Sequence, residues 1–403
     1  LSFLQVVLYL VPLLTVPFLI KTLGTSNYGI YATVVSVGAI VNILIDYGFN
    51  LSATRELSIH RDNRQKVNQI VCSVFAIKLL FLIVYLLLFI LVFASWPGLF
   101  QYKQAYLAGS IYIIANAIFP VWLLQGFENM RAVTVAIFFS RLFYLVCLIY
   151  WVSDADDVVS AIIVNGVTHL LISIIVVLFS LRKYRVSLTK LTFSDLILTL
   201  RSGFDIFISN ISISLYSQAV VIYISFFTGT QAAGVFAAAE KVIQAVKGLV
   251  QPFSQSLFPY LGYEFSVNRE NSMKLVIKYF IFIFLSFSGV CFLLFWLSPL
   301  IAEFFVGKED PLVVDLLQIM SIIPLLVALS NLFGVQLLVN LGYELIFRRI
   351  IILNSLFGLF VLVVLVREHG SYGAAVGTLL TELLVTLSMA YFTFRLRVCK
   401  STA

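Results

Sequence analysis

Twelve apolar runs set the pattern of this chain. They fall at about 1–20, 28–47, 70–94, 104–125, 132–152, 158–180, 203–227, 232–258, 275–298, 311–339, 346–366 and 371–394. Each is close to or above the ~20 apolar residues that carry a helix across the hydrocarbon of a bilayer. The pattern predicts an all-α integral membrane protein with twelve transmembrane helices. The longest polar connections are 48–69 and 181–202. The second divides the chain into an N-terminal six-helix lobe (1–180) and a C-terminal six-helix lobe (203–403). Inside it, Leu188, Leu191, Leu196, Ile197 and Leu200 alternate with polar residues over 188–201, which predicts an amphipathic linker lying on the membrane surface.

The basic residues orient the chain. Connections after even-numbered runs, counted with the C-terminal tail and with Lys278, Arg348 and Arg349 at the starts of the runs that follow, hold 18 Lys and Arg, whereas those after odd-numbered runs hold 4. By the positive-inside rule the first set faces the cytoplasm, and so do both termini. The acidic cluster Asp154, Asp156 and Asp157 falls in the opposite set.

Composition sharpens the class. The chain is 61% hydrophobic and only 11% charged, against about 25% charged in soluble domains. Its net charge of +7 sits in loops between apolar runs, so it is a topology signal and no nucleic-acid partner is implied. Cys72, Cys147, Cys291 and Cys399 have no metal or redox spacing and are expected as free thiols. The first run begins at Leu1 and continues past Pro12 and Pro17. It is expected to be a full span rather than a cleaved leader, with a short start preceding it. No phosphate-binding loop is present, so ATP is not expected to act within this chain, and no cofactor or metal is called for.

The halves echo one another. Gly24-Thr25-Ser26-Asn27-Tyr28-Gly29-Ile30-Tyr31-Ala32 returns 205 residues later as Gly229-Thr230-Gln231-Ala232-Ala233-Gly234-Val235-Phe236-Ala237. Gly126-Phe127-Glu128 returns as Gly342-Tyr343-Glu344 after 216 residues. Two echoes of nearly equal offset predict an internal duplication, a common way to build a transporter. Gly24, Gly29, Gly229 and Gly234 are the expected close-packing and hinge glycines.

Four bases lie deep inside spans, away from their ends: Lys78, Arg141, Lys241 and Lys247. A charge at the bilayer centre costs about 2.5–3.5 kcal/mol on the insertion scale, so such residues are read as cavity-lining. Arg141 lies nine residues into the fifth run, about 13 Å deep at 1.5 Å per residue. For Lys78, a snorkel toward the headgroups is the competing reading. In the eighth run Glu240, Gln244, Lys247 and Gln251 are spaced 4, 3 and 4 and share a helical face, with Lys241 beside it. The seventh run carries a similar stripe of Ser202, Asp205, Ser209, Ser212 and Tyr216. Hydrogen-bonded helix glue explains Ser and Gln but explains two lysines poorly. The repeat shift pairs Asn42 with Lys247 and Asp46 with Gln251. Arg55 is placed to cap the cytoplasmic mouth. Lys241, Lys247, Arg141, Gln244, Gln251, Arg55 and Lys78 are therefore the candidate substrate contacts. Glu240, Asp205, Glu382 and Asp46 are the candidates for a coupling ion or proton. His169 is read as hydrogen-bonded structure.

Leu23-Gly24-Thr25-Ser26-Asn27-Tyr28-Gly29-Ile30-Tyr31-Ala32, Asp46-Tyr47-Gly48-Phe49-Asn50-Leu51-Ser52-Ala53-Thr54-Arg55-Glu56 and Phe119-Pro120-Val121-Trp122-Leu123-Leu124-Gln125-Gly126-Phe127-Glu128 resemble motifs of the polysaccharide biosynthesis exporters. The similarity is closest to O-antigen flippases, in a superfamily that also contains lipid II flippases and MATE exporters. That resemblance implies two six-helix lobes around a V-shaped central cavity. It implies movement of undecaprenyl-pyrophosphate-linked oligosaccharide from the cytoplasmic to the periplasmic leaflet of the bacterial inner membrane by alternating access. A polysaccharide polymerase and a chain-length regulator become candidate partners, beside membrane lipid. A monomer is expected, because fused halves supply both walls of a cavity. Two rivals remain at this stage. A MATE-like exporter of small amphipathic molecules predicts an acid-dominated cavity. A membrane-embedded polymerase or ligase predicts a large external loop, whereas these loops are short.

Overall fold

The computed structural model describes the backbone of residues 2–95, 101–267, 269–307 and 310–401, and their side chains apart from 2–10, 209, 212, 213, 215, 216, 266, 269–274 and 397–401. The stripe side chains of Ser209, Ser212 and Tyr216, the thiol of Cys399, and the loop bases Arg269, Lys274, Lys308, Arg397 and Lys400 lie outside what is described. All described elements are helical.

The first element, α1 (Ser2–Asp46), bends at Gly24, where φ 79 and ψ 163 lie in a region essentially reserved for glycine. Tyr47 and Gly48 (φ 47 and 81) then turn the chain into α2 (Phe49–His60). The Asn63 side chain accepts the Lys66 N–H at 3.1 Å and opens α3 (Arg64–Ser95). Next come α4 (Lys103–Ile118), stopped just before Pro120, and the short α5 (Val121–Gly126). Then follow α6 (Met130–Trp151), capped by the Asn129 side chain on the Ala132 N–H, and α7 (Val158–Lys183). The second part comprises α8 (Phe193–Ser217), α9 (Ala219–Phe227), α10 (Thr230–Lys247), α11 (Val250–Val267), α12 (Arg269–Trp296) and α13 (Ser298–Val306). Then come α14 (Pro311–Met320), α15 (Ile323–Asn331), a π-helical stretch Leu332–Val339, and α16 (Glu344–Ser401), bent at Gly370.

Eight helical stretches among the described residues are long and apolar enough to cross a membrane. Two of them, Val11–His60 and Glu344–Leu396, run 50 and 53 residues. At 1.5 Å per residue each is about 75–80 Å long, over twice a ~30 Å hydrocarbon core. Each bends at a left-handed glycine, Gly24 or Gly370, and so has the length for two crossings. The expected runs 203–227 and 232–258 are helical too, as α8–α9 and α10–α11, but they are interrupted near Gln218 and Gly248. Along α3, Leu79, Leu80, Leu87, Leu88, Ile90 and Leu91 are all exposed. Such a continuous apolar face is solvated by lipid, which makes this a multi-pass membrane protein.

The chain forms two compact units, one of Ile30–Ser214 and one of Leu4–Gly29 with the chain from Leu215 onward. In unit 1, Phe49, Leu57, Val71, Val74, Trp122 and Leu123 form a core between α2, α3 and α5. Gly126 lets α5 close on α2, since a Cβ there would meet the Leu57 Cβ at 2.7 Å. The 181–202 connection joins this unit: Asn68 Nδ2 donates to Ser187 Oγ at 2.7 Å, and Leu196 and Leu200 pack on the same core, while Leu188 is 98% exposed. In unit 2 the core gathers around Leu261, Leu332, Leu338 and Met389. There the π-helical stretch aims Gln336, 1% exposed, at Ser254, with Nε2 donating to the carbonyl and hydroxyl at 3.1 and 2.9 Å. A π segment usually marks a local adjustment of this kind inside an α-helix.

The first sequence echo is visible in the backbone. Gly229 at the start of α10 has φ 104 and ψ 168, close to the values at Gly24. In the second echo the left-handed residue is Glu128 in one copy and Gly342 in the other, so that match is looser.

Candidate functional site

Lys78 is the deepest base of α3, and only 3% of it is exposed. An unpaired ammonium there would be costly. It is held by Asp46, the last residue of α1, with Nζ 2.8 Å from Oδ1. The ammonium is thus paired inside the protein and not extended to its surface. The pair borders a polar cavity of about 340 Å³ within unit 1. Asn42, Asn50, Asn116 and Asn210 line the same space, with Ser214, and Phe119 provides part of the apolar wall. Because Lys78 and Asp46 neutralise one another, this cavity presents amide and hydroxyl groups rather than net charge.

Arg141 does not belong to that lining. It stands half-buried on α6, within electrostatic reach of Tyr31 and His169. Tyr31 and Tyr144 share a hydroxyl hydrogen bond of 2.9 Å, and Asn165 Nδ2 donates to Tyr31 at 3.2 Å. His169 bonds to Ser140 at 3.0 Å and lies against Tyr112 and Phe119. It is therefore hydrogen-bonded structure beside a half-buried cation. Arg55 is exposed on α2, and Asp205 is exposed on α8 in a depression shared with Tyr47 and Arg201.

In unit 2 the expected polar face of α10 is real. Glu240 Oε1 accepts from Gln244 Nε2 at 2.9 Å, and Lys241 Nζ donates to Gln244 Oε1 at 3.3 Å. Gln244 thus bridges an acid and a base on its own helix, as residues three and four apart can. One turn on, Lys247 Nζ reaches Glu382 Oε1 of α16 at 3.6 Å, their side chains 29% and 8% exposed. Glu382 is therefore not isolated. Gln251 lies past the break at Gly248 and is exposed at the start of α11. Gly29 and Gly234 lie in tight mutual contact, while among the described residues nothing lies within 4 Å of a Cβ added at Gly24 or Gly229.

The structure thus leaves Arg55, Asp205 and Gln251 exposed and sorts the other candidates into three groups. Asp46 and Lys78 form one pair. Glu240, Lys241, Gln244, Lys247 and Glu382 form a second cluster. Arg141 stands in a third. Sequence reasoning by charge passed over Asn50, Asn116 and Asn210. For Asn116 and Asn210 the available signal was an asparagine inside an apolar run, which costs desolvation unless it is hydrogen-bonded or faces water, whereas Asn50 falls in the 48–69 connection.

Comparison with known proteins adds the family. Residues 1–263 match the family model described as polysaccharide biosynthesis protein. The "Putative O-antigen transporter" of Escherichia coli (strain K12) is 30% identical over 387 residues, covering 95% of this chain and 92% of that protein. Its namesake from Shigella dysenteriae is 29% identical, covering 94% and 95%. Among solved structures, a multidrug resistance MATE family transporter of the MOP superfamily superposes with a TM-score of 0.75 at 13% identity, covering 97% of this chain and 99% of that one. The lipid II flippase MurJ gives 0.72 at 14% identity, covering 95% and 85%. The chain shares the fold of these two transporters, and it belongs to the polysaccharide biosynthesis protein family.

Proposed function

We propose that this protein is a flippase for a lipid-linked saccharide. It carries an undecaprenyl-pyrophosphate-linked oligosaccharide, a repeat unit of O-antigen or a related surface polysaccharide, from the cytoplasmic to the periplasmic leaflet of the bacterial inner membrane by alternating access. Twelve spans in two six-helix lobes, with both termini cytoplasmic and a single chain per transporter, complete the reading. The observation that carries it is a polar, internally neutralised cavity inside helices whose outer faces are apolar. Sugars and a pyrophosphate cannot cross about 30 Å of hydrocarbon unaided. A polar space within a lipid-facing protein removes that barrier, and the relatives named as O-antigen transporters supply the class of cargo.

In this reading Lys247 and Lys241 of unit 2 take the pyrophosphate through charge-assisted hydrogen bonds, and Arg141 of unit 1 is a separate candidate contact. Lys247 is the most available, because its counter-ion stands 3.6 Å away and 29% of its side chain is exposed. Amides and hydroxyls take the sugars. The membrane potential, negative inside, favours export: one charge crossing 100 mV is worth about 2.3 kcal/mol. A headgroup bearing about two charges gains roughly twice that, so ion entry assists without being required. The test is flipping in proteoliposomes loaded with a lipid-pyrophosphate oligosaccharide. Wild type should transport it, Lys247→Ala and Arg141→Ala should slow it at least tenfold, and collapsing the potential should slow it further. Wild-type rates in both variants would remove these bases from the cargo site.

A further inference from the structure

The flippase reading leaves open where the sugars sit. We infer that the cavity of unit 1 bordered by Asn42, Asn50, Asn116 and Asn210 is a saccharide subsite that recognises uncharged hydroxyl and acetamido groups and excludes the pyrophosphate. This rests on the flippase reading for the identity of the cargo, but its physical basis is separate.

Size comes first. At about 340 Å³ the cavity falls within the roughly 300–1,000 Å³ typical of small-molecule sites. Charge comes next. Its one base and one acid are 2.8 Å apart and cancel. A phosphate held here would face the Asp46 carboxylate with no net positive field to offset it. Neutral groups meet no such penalty. Four asparagines then supply what a sugar needs, since every amide offers two donors and an acceptor. Asn42 adds the observation that points to a ligand. Its Oδ1 is buried and has no hydrogen-bond partner among the described residues. A buried acceptor left unpaired costs about 1–3 kcal/mol, and a sugar hydroxyl entering the cavity would satisfy it. Asn116 is differently placed: its Nδ2 is fixed by the Tyr112 carbonyl at 3.0 Å, which sets the orientation of its amide. Phe119, on the wall, offers an apolar surface for the C–H face of a pyranose ring.

The alternative is a structural cavity holding only water. The experiment is an equilibrium titration of the detergent-purified full chain with the free glycan released by mild acid from the parent strain's lipid-linked pool, a probe with neither lipid nor phosphate. Wild type should bind it. Asn42→Leu and Asn210→Leu should each raise Kd about tenfold, the loss of one hydrogen-bonded group. Leu88→Ala, on the lipid face, should leave Kd unchanged. Asn210 is exposed on α8, so its variant keeps the test alive if the Asn42 variant fails to fold. Absence of binding to wild type at millimolar glycan would overturn the subsite and leave a water-filled cavity. So would unchanged Kd in folded Asn variants. Glycan binding that survives in a protein unable to flip the intact lipid would sink the transport reading while leaving the subsite in place.

Discussion

Gly29 and Gly234 meet backbone to backbone. A Cβ at Gly29 would lie 1.7 Å from the Thr230 carbonyl oxygen, and one at Gly234 would lie 2.0 Å from that of Thr25. Each glycine follows its own threonine by four residues, so each copy of the repeat sets its glycine against the other copy's threonine. Ser26 and Thr230 add a hydroxyl contact of 3.1 Å. Small residues four apart let membrane helices approach this closely.

Neither helix can yield a flexible side-chain tip to relieve the overlap, because the obstructing atoms are backbone. Gly29→Ala or Gly234→Ala should therefore cost about 1–3 kcal/mol or more, seen as a thermal midpoint several degrees lower in detergent. Gly38→Ala is the control, since its Cβ would meet nothing closer than Ile113 Cγ1 at 3.7 Å. Equal midpoints for Gly29→Ala and Gly38→Ala would show that the crossing is not this tight.

The Lys78–Asp46 pair makes a different prediction. Removing one partner of a buried pair leaves the other charge uncompensated, at about 3–5 kcal/mol. Lys78→Met and Asp46→Leu should each destabilise unit 1 strongly. The double variant should be closer to wild type than either, because no buried charge remains. Additive losses in the double-mutant cycle, read from unfolding midpoints, would mean the two groups are not coupled.

The all-helical membrane class was legible because lipid imposes one pattern, long apolar runs, and a repeated glycine marked the bend of α1. Gly24 and Gly229 were singled out as repeats, and their backbones bear that likeness. The partners of buried charges were not legible. Lys78 is 32 residues from Asp46 and Lys247 is 135 from Glu382 in the chain, and no helical periodicity links such positions. The asparagine cavity escaped for another reason. An asparagine in or beside an apolar run reads as glue or as cavity, and only the packing of α1, α2, α4 and α8 shows that four of them surround one space.

Asp157 gives a pH prediction outside the membrane. Its Oδ2 accepts the backbone N–H groups of Ser153 and Asp154 at 3.0 and 3.1 Å. Those bonds hold its carboxyl below the ordinary range. A depressed carboxylate stabilises the folded state fully above its unfolded pKa of about 3.9, and the contribution is lost as pH falls through the folded value. Asp157→Asn should lower the thermal midpoint near pH 6, and the gap from wild type should close progressively below about pH 4. A gap that stays constant down to pH 3 would show that the carboxylate is not what secures this loop.

Glu382 decides between two roles for the unit-2 cluster. If it only balances the charge of Lys247, a pyrophosphate must displace it, and its removal should help binding. Glu382→Gln should then lower the half-saturating cargo concentration several-fold in proteoliposome flipping. Lys247→Ala should lose at least tenfold, in keeping with a charged hydrogen bond of about 1.5–3 kcal/mol. The double variant should resemble Lys247→Ala, because the acid acts only through the base. If Glu382→Gln instead stops transport while cargo still binds, the carboxylate does work that neutralising Lys247 does not explain. A proton or cation taken up in the transport cycle would then be the role to test, by following flipping against imposed pH and sodium gradients.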